Sequence, residues 1–201
     1  METSAIAKRP KREQKIPDNL IWEVLDGKPL YRRGYMDVVR KLKTRDEIMG
    51  TSSYQSLITT YLSKLLARQL DDNIYDYLIS EPGVHLKYKD NISNDIAIFN
   101  RLSANQITKK YADYSPKIVL EIDIDIDPKS MSDFDYLNTK TQKMLDFGVE
   151  KVIWILTNSR KVIVATPNTA WLTMDWHNDI EIIEGIVFNI HNYLLERGIE
   201  I

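Results

Sequence analysis

The sequence predicts an α/β (α+β) fold built on a mixed central β-sheet flanked by helices. Three observations carry that reading. Stretches such as "VHLKYK", "KIVLEIDI" and "KVIWILT" are strand-like, two by apolar/polar alternation and one by a short apolar run. Two longer stretches, "TSSYQSLITTYLSKLLARQLDD" and "MSDFDYLNTKTQKMLDFGV", repeat apolar residues at helical spacing. Between residues 117 and 156 a strand, a helix and a strand follow one another, the signature of a βαβ crossover inside a mixed sheet. At 201 residues and 43% hydrophobic content, the chain suits one domain with a buried core, expected over 18–201 after a flexible basic tail at 1–17.

The elements follow in order. "LIWEVLDGKPLYRRG" holds the Asp26-Gly27 turn signal between two short apolar-alternating runs, which predicts a hairpin. Ser52 with Gln55 three residues later forms a capping box for a long amphipathic helix over about 52–70, lying on something flat. A second hairpin is expected from Val84 to Phe99, turning near Asp90-Asn91 and resuming as "DIAIF". Then come an acidic strand at 117–126, a helix over about 133–147 and the strands "KVIWILT" and "KVIVAT". The C-terminal "DIEIIEGIVFNIHNYLLERG" reads as a short strand and a closing helical turn.

Composition removes several function classes. Cysteine is absent, so there is no disulfide framework and no thiolate zinc site. His85, His177 and His191 lack metal-ligand spacing, and no glycine-rich phosphate loop is present. "METSAIAKRPKREQKIPDN" lacks the apolar core of a secretory signal, and the apolar runs are short and broken by charge. A cytoplasmic protein without membrane spans is therefore expected. The net charge of −2 is unevenly placed: through Arg45 twelve bases face six acids, a surplus of six, which leaves −8 on the remainder. Such a basic arm either steers a polyanion or is a solvated tail.

The segment "EIDIDIDPKS", residues 121–130, poses the chemical question. Acids two apart on a strand share a face at about 6.6 Å. At that separation two carboxylates repel by roughly 2 kcal/mol at an effective dielectric near 20. Glu121, Asp123, Asp125 and Asp127 on one buried face would need raised pKa values or a cation. On an exposed edge they would simply be its solvated side. Two other residues favour the cation. Asp95 enters an apolar strand just after a turn and would meet Glu121 if the two strands are neighbours. On the helix over 133–147, Phe134, Leu137, Met144 and Leu145 form the buried arc, with Tyr136 and Phe147 beside it. At about 100° per residue Lys140 projects inside that arc and Lys143 lies at its edge. A lysine aimed at a sheet has a carboxylate partner, snorkels to solvent or performs a chemical task.

The order "ISNDIAIF", "PKIVLEIDI", "KTQKMLDFGVEKVIWIL", "KVIVA" resembles the Uma-two endonuclease-like family, abundant in cyanobacteria, within the PD-(D/E)XK restriction-endonuclease-like superfamily. The likeness runs from about residue 20 onward. It matches Asp95 to the first acid of the motif and Glu121 to the second. Position 123, where an E-x-K motif has its lysine, is Asp123, and the resemblance moves that lysine onto the helix as Lys140, eight residues before Gly148. Asn94 replaces the proline expected before the first acid, and Tyr54 stands at a position often histidine, with Gln55 beside it.

The resemblance implies a metal-dependent DNA endonuclease. Asp95, Glu121 and the Ile122 carbonyl would hold one Mg²⁺ or Mn²⁺ with hard oxygen ligands, and Lys140 would orient water or offset charge on the phosphorane. Asp123 would add an outer or second-metal carboxylate, and Gln55 would position water. Asp125 and Asp127 would lie beyond the site. A nuclease cutting both strands would most simply be a homodimer. Two rivals stand beside it: a catalytically degenerate nuclease-fold module that binds nucleic acid or a protein, and a Ca²⁺-stabilised structural protein.

Overall fold

The computed structural model describes residues 16–200, so most of the basic leader expected at 1–17 lies outside the described residues. The first hairpin, β1 (Ile21–Leu25) and β2 (Lys28–Tyr31), turns at Asp26-Gly27, both with positive φ, as the sequence predicts. Two short helices, α1 (Tyr35–Val39) and α2 (Asp46–Met49), lead to the long helix α3 (Ser53–Gln69). The Ser52 hydroxyl caps α3 by accepting the Gln55 N–H at 3.1 Å. Strands β3 (Tyr75–Ile79), β4 (Gly83–Lys87), β5 (Asp90–Ser93), β6 (Ile96–Asn100) and β7 (Ile118–Ile122) follow. Helix α4 (Asp133–Phe147) carries the chain to β8 (Lys151–Leu156), β9 (Lys161–Ala165), β10 (Leu172–Asp175), β11 (Ile180–Ile183), β12 (Ile186–Phe188) and α5 (Ile190–Glu196).

The expected α+β architecture with a mixed central sheet is the observed one. Six strands lie in the order β10-β9-β8-β7-β6-β3, antiparallel throughout except for the parallel pair β7–β8 joined by α4. Alternation along the strands feeds two separate cores. Ile118, Leu120 and Ile122 of β7, with Ile153 and Ile155 of β8, pack on Ile58, Leu62 and Leu66 of α3 and on the β11–β12 hairpin. Val119, Val152 and Trp154 point the other way, onto α4 and a four-stranded sheet ordered β2-β1-β5-β4.

Several expectations are corrected. The second hairpin is β4–β5, turning at Tyr88-Lys89 with Lys89 at φ 63°, and Asp90 is a fully buried strand residue that pairs with Lys143. The "DIAIF" run does not return along β4. As β6 it crosses to the other sheet and lies between β3 and β7. The acidic strand stops at Ile122, because Asp123 takes φ 62° and its carboxylate accepts the N–H and hydroxyl of Thr157, each at 2.6 Å. The segment then reaches across to the four-stranded sheet, where Arg33 N–H donates to Asp125 O and Asp127 N–H to Tyr31 O, both at 2.7 Å. The four acids therefore share no strand face. Phe134, expected in the buried arc, is 76% exposed, since the first turn of α4 runs past the apolar cluster. The C-terminal strand is a two-stranded hairpin, with Glu184-Gly185 at positive φ in its turn.

Candidate active site

The site is built by the ends of β6 and β7 and the middle of α4. Ile96 of β6 pairs with Leu120 of β7 in antiparallel register, so Asp95, one residue earlier, stands beside Glu121, one residue later. The Asp95 carboxylate accepts the Ile122 N–H at 2.6 Å, which fixes it across the strand ends. Glu121 continues the Val119 side of β7, facing α4, and is 5% exposed. Lys140 sits in the buried arc of α4 at 2% exposure, as its helical position predicts, while Lys143 at the edge pairs with Asp26 and Asp90.

Lys140 Nζ donates to Ser93 O at 2.7 Å and to Glu23 Oε1 at 2.9 Å, and stands 3.0 Å from Glu121 Oε1. The contact with Glu121 is an ion pair in poorer hydrogen-bond geometry than the contact with Glu23. Glu23, on β1 where an apolar residue would pack beside Leu25, was not singled out by the sequence. It occupies the inward phase of an alternating strand, and that was the available signal. Its Oε1 accepts the Ser93 N–H at 3.0 Å, and its Oε2 accepts the Tyr136 hydroxyl at 2.6 Å.

Charge and burial oppose one another here. Burial pushes Glu121 up to about 8, against the nearby Lys140 charge and with help from Asp95 and Glu23. Burial likewise pushes Asp95 up to about 6. Burial alone would lower Lys140, but Glu121 and Glu23 together outweigh it and hold the amine cationic, well above its ordinary range. Three acids around one base leave an excess of negative charge that protons or a cation must satisfy.

Around these groups lies a cavity of about 20 Å³, walled in part by Asn94, Asp95, Glu121, Ile122 and Lys140. That is room for one water molecule or one ion. Glu121 Oε1 and both side-chain polar atoms of the buried Asn94 have no hydrogen-bond partner among the described residues. Two carboxylates and a backbone carbonyl are the hard oxygen donors that Mg²⁺ and Mn²⁺ take together with several waters. The donor set fits such an ion. Among the described residues no group of three or more His, Cys, Asp or Glu side chains stands close enough to hold a metal alone, so carbonyl and water ligands would be required.

The remaining sequence candidates also line this pocket, with specific partners. The Gln55 side-chain amide donates to the Ile122 carbonyl at 2.8 Å. Asp123 lies on the wall with both carboxylate oxygens engaged by Thr157. Asp125, expected beyond the site, also lines it, paired with the buried Arg32 at 3.2 Å. Asp127 caps the next turn through Lys129 N–H at 3.0 Å. A larger groove of about 450 Å³ adjoins the pocket, bounded by the start of α3, the β8–β9 turn, Arg33 and Asp133.

No helix among the described residues is long and apolar enough to cross a membrane. No family model and no curated protein matches this chain. Among solved structures it is similar to one described as "a putative nuclease belonging to DUF820 from Anabaena variabilis ATCC 29413". The TM-score is 0.60 at 14% identity, over 85% of this chain and 87% of that one. The chain thus has a nuclease-like fold.

Proposed function

We propose that this protein is a divalent-metal-dependent DNA endonuclease of the PD-(D/E)XK, restriction-endonuclease-like type, related to the Uma-two family. The observation that carries the reading is the convergence of Asp95 and Glu121 at adjacent strand ends, with Lys140 Nζ 3.0 Å from Glu121. Asp95, Glu121 and the Ile122 carbonyl would hold Mg²⁺ or Mn²⁺. Bound there, the ion supplies Lewis acidity to a phosphodiester and lowers the pKa of water. Gln55 fixes the direction of the Ile122 carbonyl, and Asp95 is aimed by the Ile122 N–H. Lys140, kept cationic, offsets charge that grows on the phosphorus oxygens. The adjoining groove gives the strand a path to these groups, and cleavage of both strands would bring two copies together about a two-fold axis.

The second reading is a binding module without activity. It is favoured by the acids of the groove wall, Asp123, Asp125 and Asp133, which oppose a polyanion unless cations accompany it. Plasmid nicking with Mg²⁺ or Mn²⁺ separates the two. The wild type should convert supercoiled DNA to open circles, and Asp95→Ala and Lys140→Ala should each slow this by about a hundredfold or more. Wild type that folds and never nicks DNA with either metal would favour the binding module instead.

A further inference from the structure

Two buried acids face one buried lysine, and they are not used alike. Both oxygens of Glu23 are consumed inside the protein: Oε1 by Lys140 and the Ser93 N–H, Oε2 by the Tyr136 hydroxyl. Glu121 Oε1 meets the same ammonium in poorer hydrogen-bond geometry and has no other partner among the described residues. Lys140 is further confined by the Ser93 carbonyl and by the faces of Tyr136 and Trp154, 5.5 and 5.7 Å away. An acid placed on the inward side of β1 carries a desolvation cost that its own packing does not require, since Leu25 shows what that face otherwise takes.

We propose that Glu23 is a positioning residue that shares the charge of Lys140, so that Glu121 is not its sole counter-ion and can also bind a divalent cation. The proposal rests on the metal-site reading above. With Glu23 absent, Glu121 would be the only carboxylate among the described residues within ion-pair distance of the Lys140 ammonium, and ammonium and metal would compete for one oxygen. With Glu23 present, the two tasks are divided between two acids. The same division explains why a lysine can sit on α4 against the sheet without having the metal-binding acid as its sole counter-ion.

The test is Mn²⁺ affinity by calorimetry on wild type, Glu23→Gln and the double variant Glu23→Gln/Lys140→Met, each first checked for a cooperative melt. Glu23→Gln should weaken Mn²⁺ by about tenfold, and the double variant should return to within about twofold of wild type, because no ammonium remains to be placed. Unchanged affinity in Glu23→Gln overturns the proposal. A double variant as weak as Glu23→Gln also overturns it, since the lost charge itself would then be responsible. Should Glu23→Gln not fold, Tyr136→Phe removes one hydrogen bond and keeps the carboxylate, and a loss of about threefold is expected; wild-type affinity contradicts the assignment. Wild type that binds no Mn²⁺ overturns the metal site and this inference together, whereas tight wild-type binding with an unaffected Glu23→Gln removes only the role of Glu23.

Discussion

The two faces of the six-stranded sheet are made from alternate residues of the same strands, yet they differ in kind. Toward α3, β7 presents Ile118, Leu120 and Ile122, and the core there is aliphatic and aromatic, with Gln55 as a polar residue at its end. Toward α4 the alternation is Val119 then Glu121, answered by Lys140 and Thr141 on the helix and Glu23 on β1. Hydrophobic burial is sufficient to hold the first face. The second keeps charges that burial opposes, and such groups persist in a core when they are paired or have a task.

The sharpest way to break the difference is Lys140→Ala. It leaves Glu23 and Glu121 buried without a cation and should cost about 3–5 kcal/mol in urea unfolding while abolishing nicking. Stability close to wild type would mean that the lysine is not the electrostatic centre of this face. On the other face, Leu62→Ala should cost about 2–5 kcal/mol through the cavity it leaves, and the variant should still bind Mn²⁺ when folded. Comparable stability losses, with nicking lost in Lys140→Ala and kept in Leu62→Ala, would separate scaffold from site.

The periodicities that distinguish the faces were readable in the sequence, because burial in a helix or strand repeats at fixed spacing. The Ser52-capped α3, the βαβ unit from β7 to β8 and the inward Lys140 all follow from residue spacing alone. The end of β7 did not follow, since "EIDIDID" alternates perfectly and the break at Asp123 depends on Thr157, 34 residues away. The same holds for β6, whose apolar run suits either sheet and whose partner is fixed by tertiary packing. Glu23 escaped notice for a related reason: an acid on a short strand looks solvated until the helix carrying Lys140 is laid over it.

A pH series sharpens the contrast further. Glu121 and Asp95 have folded pKa values of about 8 and about 6, above their ordinary values of 4.5 and 3.8, so the folded state holds protons that the unfolded chain releases. Their stabilising contribution is complete below about pH 4 and is lost as pH rises toward 8, at up to about 1.4 kcal/mol per pH unit for each proton. Melting in EDTA should show that decline between pH 5 and 8. Excess Mg²⁺ should flatten it, because the cation replaces the protons. Identical slopes in the two buffers would contradict a metal at these acids.

The smallest effect is expected at Asp123. Its carboxylate serves Thr157, and asparagine tolerates the positive φ, so Asp123→Asn should cost about 1 kcal/mol. Nicking should fall by less than about tenfold, near 1.4 kcal/mol in the barrier. A far larger loss of nicking would return Asp123 to the metal-binding groups.

The most direct measurement is calorimetric titration of Mn²⁺ into wild type and Glu121→Ala, with plasmid nicking on the same samples. One ion bound per chain in the wild type, with both binding and nicking lost in the variant, is the predicted result. Wild-type protein that takes up no divalent ion at millimolar concentration would contradict the account and leave Glu121 as a structural partner of Lys140.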